Sequence, residues 1–200
     1  MTSGTRSAIS TKADGYLSVC MAGSALSSYI NTSGWMYVFS GGSGVVTFVS
    51  GGTVSVYAGG STSETKLYSG GTESVFAGGY TDTTRIFSGG LQVVSSGGTA
   101  SATAIYSGGV QNVYSSGRTI YTWSYDGGTQ NVYGGGTAFG TLIYGGTQNV
   151  SSGGTATSTT VASGTQNVSS GGTATSTTIN GGTQNVYNGG RATSTTLYGG

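Results

Sequence analysis

Residues 145–162 read GGTQNVSSGGTATSTTVA and residues 163–180 read SGTQNVSSGGTATSTTIN, two near-copies of one unit laid end to end. The pair that opens the unit recurs at Gly51, Gly70, Gly89, Gly108, Gly127, Gly145, Ser163 and Gly181, at separations of 19, 19, 19, 19, 18, 18 and 18 residues. A fixed period of this size is the mark of a solenoid, whose repeats cannot bury their apolar faces alone and must stack on their neighbours.

Each period holds two strand-like runs cut by two glycine corners. In the short run, T-Q-N-V, the valine recurs in register at Val56, Val75, Val94, Val113, Val132, Val150, Val168 and Val186. In the long run, T-A-T-S-T-T-I, one place is filled by Leu67, Ile86, Ile105, Ser124, Ile143, Val161, Ile179 and Leu197. A threonine stands two residues before it, from Thr65, Thr84 and Thr103 to Thr159, Thr177 and Thr195. Strand side chains alternate faces, so these two columns point the same way. That face is inward, because the column after it tolerates Tyr68, Phe87, Tyr106, Ala162 and Asn180. Stacked strands lie about 4.8 Å apart, so eight coils give a rod roughly 40 Å long.

The pattern predicts an all-β chain: a right-handed parallel β-helix (solenoid) of 18–19-residue coils, two main strands per coil, with an N-terminal cap. The hand follows from the general crossover preference. Residues 1–39 form the cap or degenerate first coils, and residues 40–200 form the repeat region. The first segment is denser in large apolar residues, at Tyr16-Leu-Ser-Val-Cys-Met, Tyr29-Ile and Trp35-Met-Tyr-Val-Phe39, as a cover over an open stack of strands needs to be. About the first dozen residues read as a disordered leader. From Ser40 the long run begins, with Val46 and Phe48 in the Thr and Ile columns.

Composition agrees. In 200 residues there are 41 glycines, no proline and 6% charged residues. Such a chain without periodicity would be disordered, whereas here the glycines are confined to corners that need positive φ or a tight turn. The formal net charge is +1 with no histidine. Nothing in this forms a basic footprint for nucleic acid or a basic amphipathic segment for a membrane surface, so neither is an expected partner. A single cysteine, Cys20, excludes an internal disulfide and reads as a small buried residue. There is no run of 18 apolar residues for a transmembrane helix and no signal-peptide pattern. Met1 before a polar segment, and an end at Gly200 just after a repeat, read as a segment of a longer array with further repeats missing.

Candidate chemistry is sparse. The only carboxylates are Asp14, Glu64, Glu73, Asp82 and Asp126. Glu64 and Asp82 fall in adjacent coils but on opposite strand faces, near Lys66 and Arg85, an exposed charge cluster more than an acid–base pair. Without histidine no Ser-His or Cys-His nucleophile exists. The calcium β-roll needs an aspartate in every turn, and these corners continue with Thr or Ser. No cofactor, metal or catalytic residue is expected. The coil Thr119-Ile-Tyr-Thr-Trp-Ser-Tyr-Asp126 departs from the pattern, either as a contact or sugar-binding patch or as a local repacking. Two repetitive features remain. Serines stand at the corners, with Ser40, Ser50, Ser69, Ser88, Ser107 and Ser163 before one and Ser96, Ser116, Ser152 and Ser170 before the other. Each is both a good turn residue and an accessible acceptor for O-linked modification. Gln92, Gln111, Gln130, Gln148, Gln166 and Gln184 share the valine face, with Asn112, Asn131, Asn149, Asn167 and Asn185 opposite. Such columns form structural amide ladders.

The wording GGTQNVxSGGTATSTTI, repeated over Ser40–Gly200, resembles the repeats of the AIDA-type self-associating autotransporter adhesins of Gram-negative bacteria. The resemblance implies a passenger β-helix on the outer cell surface that mediates host-cell adhesion, self-aggregation and biofilm formation. It further implies O-heptosylation by a dedicated cytoplasmic heptosyltransferase, this chain being the acceptor protein and the corner serines above the acceptors. Coils with Ala58, Ala77, Gly134 or Asn188 at the corner lack that hydroxyl. The family's signal peptide and membrane barrel are not in this sequence. An alternative is an ice-binding solenoid presenting its Thr arrays, although one Thr of each array turns inward and aromatics interrupt the outer face. A carbohydrate-cleaving enzyme is a distant third.

Overall fold

The computed structural model describes residues 5–7, 10–11 and 15–198. Among them every regular element is a strand, and each pairs in parallel with its equivalent one coil on. Thr72 lies against Thr53 on one side and Leu91 on the other, and the same step continues through Val110, Thr129, Thr147, Thr165 and Thr183. The chain is a parallel β-solenoid of the expected period. Its backbone amides are paired along the stack, as in Tyr68 N to Val49 O at 2.8 Å, which leaves the narrow interior to side chains.

The strands begin before the repeat wording does. Tyr16–Val19 pairs with Trp35–Val38, and Trp35–Val38 pairs with Thr53–Val56, without a change of register. Thr5–Ser7 and Ser10–Thr11 both pair with Ser24–Ile30. The remainder of the leader read over about the first dozen residues lies outside the described residues. Cys20 is half-buried at the corner after Val19 and its thiol is free.

The long run is not straight. In every coil a residue in left-handed conformation breaks it, including Val46 (φ 53°), Glu64 (φ 54°), Thr83 (φ 55°), Ala102 (φ 53°), Tyr121 (φ 57°) and Ser158 (φ 57°). Strand alternation skips at the bend, so Thr62, Thr65 and Leu67 all face inward. One coil therefore has three straight segments, such as Thr72–Val75, Tyr80–Asp82 and Arg85–Ile86. The bend corrects the register of the first repeat by one residue. Thr47 and Val49, not Val46 and Phe48, occupy the Thr and Ile columns, because Val46 is the bend and Phe48 pairs with outward-facing Lys66.

Inside run columns of Val, Ile and Ala, all essentially solvent-free from Val49 to Val168, together with the glutamine column from Gln92 to Gln166. Each buried amide donates to the glutamine of the preceding coil. Nε2 of Gln111, Gln130, Gln148, Gln166 and Gln184 reaches the preceding Oε1 at 2.6, 2.8, 2.7, 2.7 and 2.7 Å. Core threonines add to it, with the hydroxyl of Thr122 donating to Gln111 and that of Thr141 to Gln130. An unpaired buried amide would cost about 1–3 kcal/mol, so this polar core is stable only as an unbroken ladder. Asn131, Asn149, Asn167 and Asn185 form a second ladder on the outside, at 2.9–3.0 Å.

The glutamine ladder ends at Glu73, which stands in the same column and is fully buried. Its carboxylate accepts from Thr62, Thr84 and Gln92 at 2.8, 2.9 and 2.8 Å. The coils before it carry Leu17, Met36 and Val54 in that column. Their core hydroxyls accordingly have no partner: Ser28, Thr47 and Thr65 are the buried polar side chains left unpaired among the described residues.

The aromatic coil keeps the inward columns of its neighbours. Along Arg118–Tyr125 the inward positions are Thr119, Thr122 and Ser124, which turns Tyr121 and Tyr125 out to solvent. Ser124 replaces the apolar contact of its column with a hydrogen bond to the carbonyl of Gly128 at 2.9 Å. The ladder shifts next to it, between Tyr125 and Tyr144-Gly145. There the period falls from 19 to 18 residues, because the corner Phe87-Ser-Gly-Gly90 of earlier coils shortens to Tyr144-Gly-Gly146.

Candidate functional site

Two ridges run the length of the rod, one along the corners that follow the Ile column and one along those that follow the Val column. All ten serines expected as acceptors are exposed on them: Ser40, Ser50, Ser69, Ser88, Ser96, Ser107, Ser116, Ser152, Ser163 and Ser170. Their distribution differs from the sequence reading in four ways. Ser50 takes the place of Tyr68, in a corner shorter by one residue. Ser40 follows the Trp35–Val38 strand and belongs to the Val-side ridge, where it underlies Gly59. Ser163 sits in the shortened corner in the place of a glycine, opposite Tyr144. Ser116 takes the third turn position, which glycine fills elsewhere, and the residue in the column of Ser96, Ser152 and Ser170 is Ser115. Ser115 is exposed too, and the adjacent serines of Tyr114-Ser-Ser-Gly117 concealed which one is in register.

The corners fall into two turn classes. At Phe39–Gly42, Tyr68–Gly71, Phe87–Gly90 and Tyr106–Gly109 only the third residue has positive φ, at 73°, 73°, 74° and 72°, and the fourth amide donates to the first carbonyl at 2.8–2.9 Å. This is the type II turn, with its serine at the second position. At Ser95–Gly98, Tyr114–Gly117, Ser151–Gly154 and Ser169–Gly172 the second and third residues are both left-handed, with Ser96 at 53°, Ser115 at 51°, Ser152 at 51° and Ser170 at 43°. This is the type I′ turn. The glycine ending each corner has no alternative: a Cβ on Gly154 would stand 2.2 Å from the carbonyl oxygen of Val132.

Aromatic ladders flank the corners. Tyr68, Phe87, Tyr106, Tyr125 and Tyr144 stack along one edge with centroids 5.0, 5.0, 5.1 and 6.0 Å apart. Phe39, Tyr57 and Phe76 stack at 5.1 Å beside the other ridge, continuing Trp35 and Tyr37. These spacings are close to the distance between strands, so the rings cover one another and present edges. Tyr114 stacks on Tyr133, and burial followed by the neighbouring phenol raises Tyr133 above the ordinary tyrosine range.

The carboxylates are scattered. Glu73 is inside the core. Glu64 is exposed at its bend, and Asp82 lies on the outer side of its strand, accepting from the Thr83 hydroxyl at 2.8 Å. Both are therefore outside the core, contrary to the opposite faces read from the sequence, because the bend at Glu64 resets the alternation. Among the described residues no three His, Cys, Asp or Glu side chains come together as metal ligands. Lys66 lies over the ring of Phe48 at 4.5 Å.

No family model and no curated protein matches the chain. A solved structure does. The chain superposes with a TM-score of 0.91 on the crystal structure of a TibA fragment hyper-glycosylated by TibC, at 38% identity over 98% of this chain and 73% of that one. The chain belongs to the AIDA-type autotransporter adhesins typified by TibA. Within this family its repeats are those of a passenger solenoid. In this TibA-like rod the repeated, exposed chemistry is the two serine ridges and the aromatic ladders beside them.

Proposed function

We propose that the chain is the stiff shaft of a cell-surface adhesin whose corner serines carry O-linked sugar. The observation that carries this reading is the exposure of all ten expected acceptor serines, at corners along the rod, on a chain whose structural neighbour is hyper-glycosylated. The sugar is heptose, added by a heptosyltransferase in the cytoplasm before export. The modified rod then acts at the outer surface in host-cell adhesion, autoaggregation and biofilm formation, as acceptor and contact surface and not as a catalyst. Sugars at the corners suit this role, since they extend outward from turns whose backbone is held by the ladder and leave the packing untouched.

Peptide-level mass spectrometry of the chain produced with and without TibC tests the first step. The expected result is a series of added heptose units confined to the corner peptides. An unchanged mass would remove glycosylation from the reading. Bacteria displaying the chain with and without the enzyme are then compared for adherence to epithelial cells and for settling. Equal adherence to that of undecorated cells would remove the adhesive role.

One observation favours a second reading. The outward residues Thr155 and Thr157 lie in register with Thr173 and Thr175, and Thr175 with Thr193, a regular hydroxyl array of the kind that orders ice. Phe139 and Arg191 interrupt it on either side. Thermal hysteresis at micromolar protein would establish this reading, and its absence would dismiss it.

A further inference from the structure

The two turn classes give their serines different surroundings, and this bears on which are modified. At the type II corners the serine leans on the next coil. A Cβ built on Gly59, Gly89, Gly108 or Gly127 would meet the hydroxyl oxygen of Ser40, Ser69, Ser88 or Ser107 at 2.9, 3.1, 2.7 and 2.8 Å. Each of these hydroxyls therefore lies along the stack, over the bare glycine of the following corner. The type I′ corners differ. A Cβ at Gly135, in the coil after Ser115, would have nothing within 4 Å, and at Gly171, in the coil after Ser152, it would meet only a backbone nitrogen, at 3.7 Å. No serine hydroxyl is among those neighbours. These turns are joined to the next coil through backbone hydrogen bonds, as from Ser115 N to Gly134 O at 2.9 Å and from Ser152 N to Ser170 O at 2.8 Å, and not through serine side chains.

We infer that turn class selects the acceptor: the glycosyltransferase modifies serines at the second position of type I′ corners ahead of those at type II corners. This rests on the glycosylation reading above and adds to it a rule for which hydroxyls react. In the reaction the serine Oγ attacks the anomeric carbon of a nucleoside-diphosphate-activated sugar. The new C–O bond forms as the bond from that carbon to the diphosphate oxygen breaks, nucleoside diphosphate leaves, and the hydroxyl proton passes to a base of the enzyme. An oxygen resting against the next coil must first rotate away from it and has a glycine backbone on the side from which a donor sugar would approach. The oxygen of Ser115 or Ser152 makes no such contact with the next coil's glycine and is unobstructed on that side.

The Val-side ridge supplies a matched pair of test positions. Gly134 lies in a type I′ corner at φ 57°, close to Ser115 and Ser152 at 51°, and a Cβ there meets the Tyr114 side chain at an ordinary 3.5 Å. Ala58 lies in a type II corner of the same ridge, beside Gly59 at φ 71°, and a Cβ on Gly78 of the next coil would meet the Ala58 side chain at 3.3 Å. The full chain carrying G134S or A58S is co-expressed with TibC, and sugar occupancy is read at each serine by peptide mass spectrometry over a time course. Circular dichroism first establishes that both variants fold as the parent does. The expected result is early sugar on the new hydroxyl of G134S and several-fold lower occupancy on that of A58S, with Ser96, Ser115, Ser152 and Ser170 ahead of Ser69, Ser88 and Ser107. Equal occupancy of the two new sites, or an unmodified G134S alongside modified Ser115 and Ser152, would overturn the rule while leaving glycosylation intact. A chain with no sugar on any serine would overturn the glycosylation reading, and the rule with it.

Discussion

Glu73 takes a position that glutamine occupies in six later coils, and the difference follows from its neighbours. On the side of Gln92 it receives an amide N–H, and on the other side it faces Val54, which offers no acceptor. A carboxylate accepts everything donated to it and has nothing left to donate. Replacing it by valine would leave Gln92, Thr62 and Thr84 without that acceptor, at about 1–3 kcal/mol for each donor that finds no other partner. The E73V variant should therefore melt well below the parent in circular dichroism. In E73Q the new amide can donate to the hydroxyls of Thr62 and of Thr65, which is otherwise unpaired. Its melting temperature should stay close to the parent's, so the two substitutions separate loss of the acceptor from loss of the charge.

At the scale of the strand, the bend is what the sequence concealed. The Val, Thr and Ile columns were legible because a solenoid repeats them and their period is counted, not guessed. The bend residue is Val, Glu, Thr, Ala, Tyr, Gly or Ser in different coils, so no residue type announces it. Val46 and Phe48 consequently read as inward under simple alternation and are not. Exposed Ser158, at φ 57°, allows a direct test. Glycine adopts this conformation freely while an L side chain pays roughly 1–2 kcal/mol, and a β-branched one is a clear outlier. S158G should hold or raise the thermal midpoint, and S158V should lower it by the equivalent of about 1–2 kcal/mol. The corner serines were legible as a class for the same reason the columns were. Which of two adjacent serines is in register at Tyr114–Gly117, and which corners are type I′, depends on φ values that Ser-Gly spells identically in both.

For the molecule as a whole, stability should be a sum of coil and interface contributions, since each coil touches only those beside it. Removing residues 145–162 brings Gln166 onto Gln130 and Val168 onto Val132, the same residue types that now pair across that step. The shortened chain should keep its β-rich circular dichroism spectrum and melt within a few degrees of the parent. Removing residues 145–153, half a coil, would put the TAT segment where TQNV belongs and break both amide ladders, and it should abolish cooperative melting.

The direction of the glutamine ladder has a consequence for how such a gene can lengthen. Every interior amide donates toward the N-terminal side, so a duplicated TQNV coil inserted anywhere after Glu73 finds an acceptor below it and offers one above. The same coil copied into the segment that carries Leu17, Met36 and Val54 would present an amide to an apolar neighbour. Duplication is therefore tolerated on one side of a single carboxylate and penalised on the other, and the near-identical units at 145–162 and 163–180 lie on the permissive side.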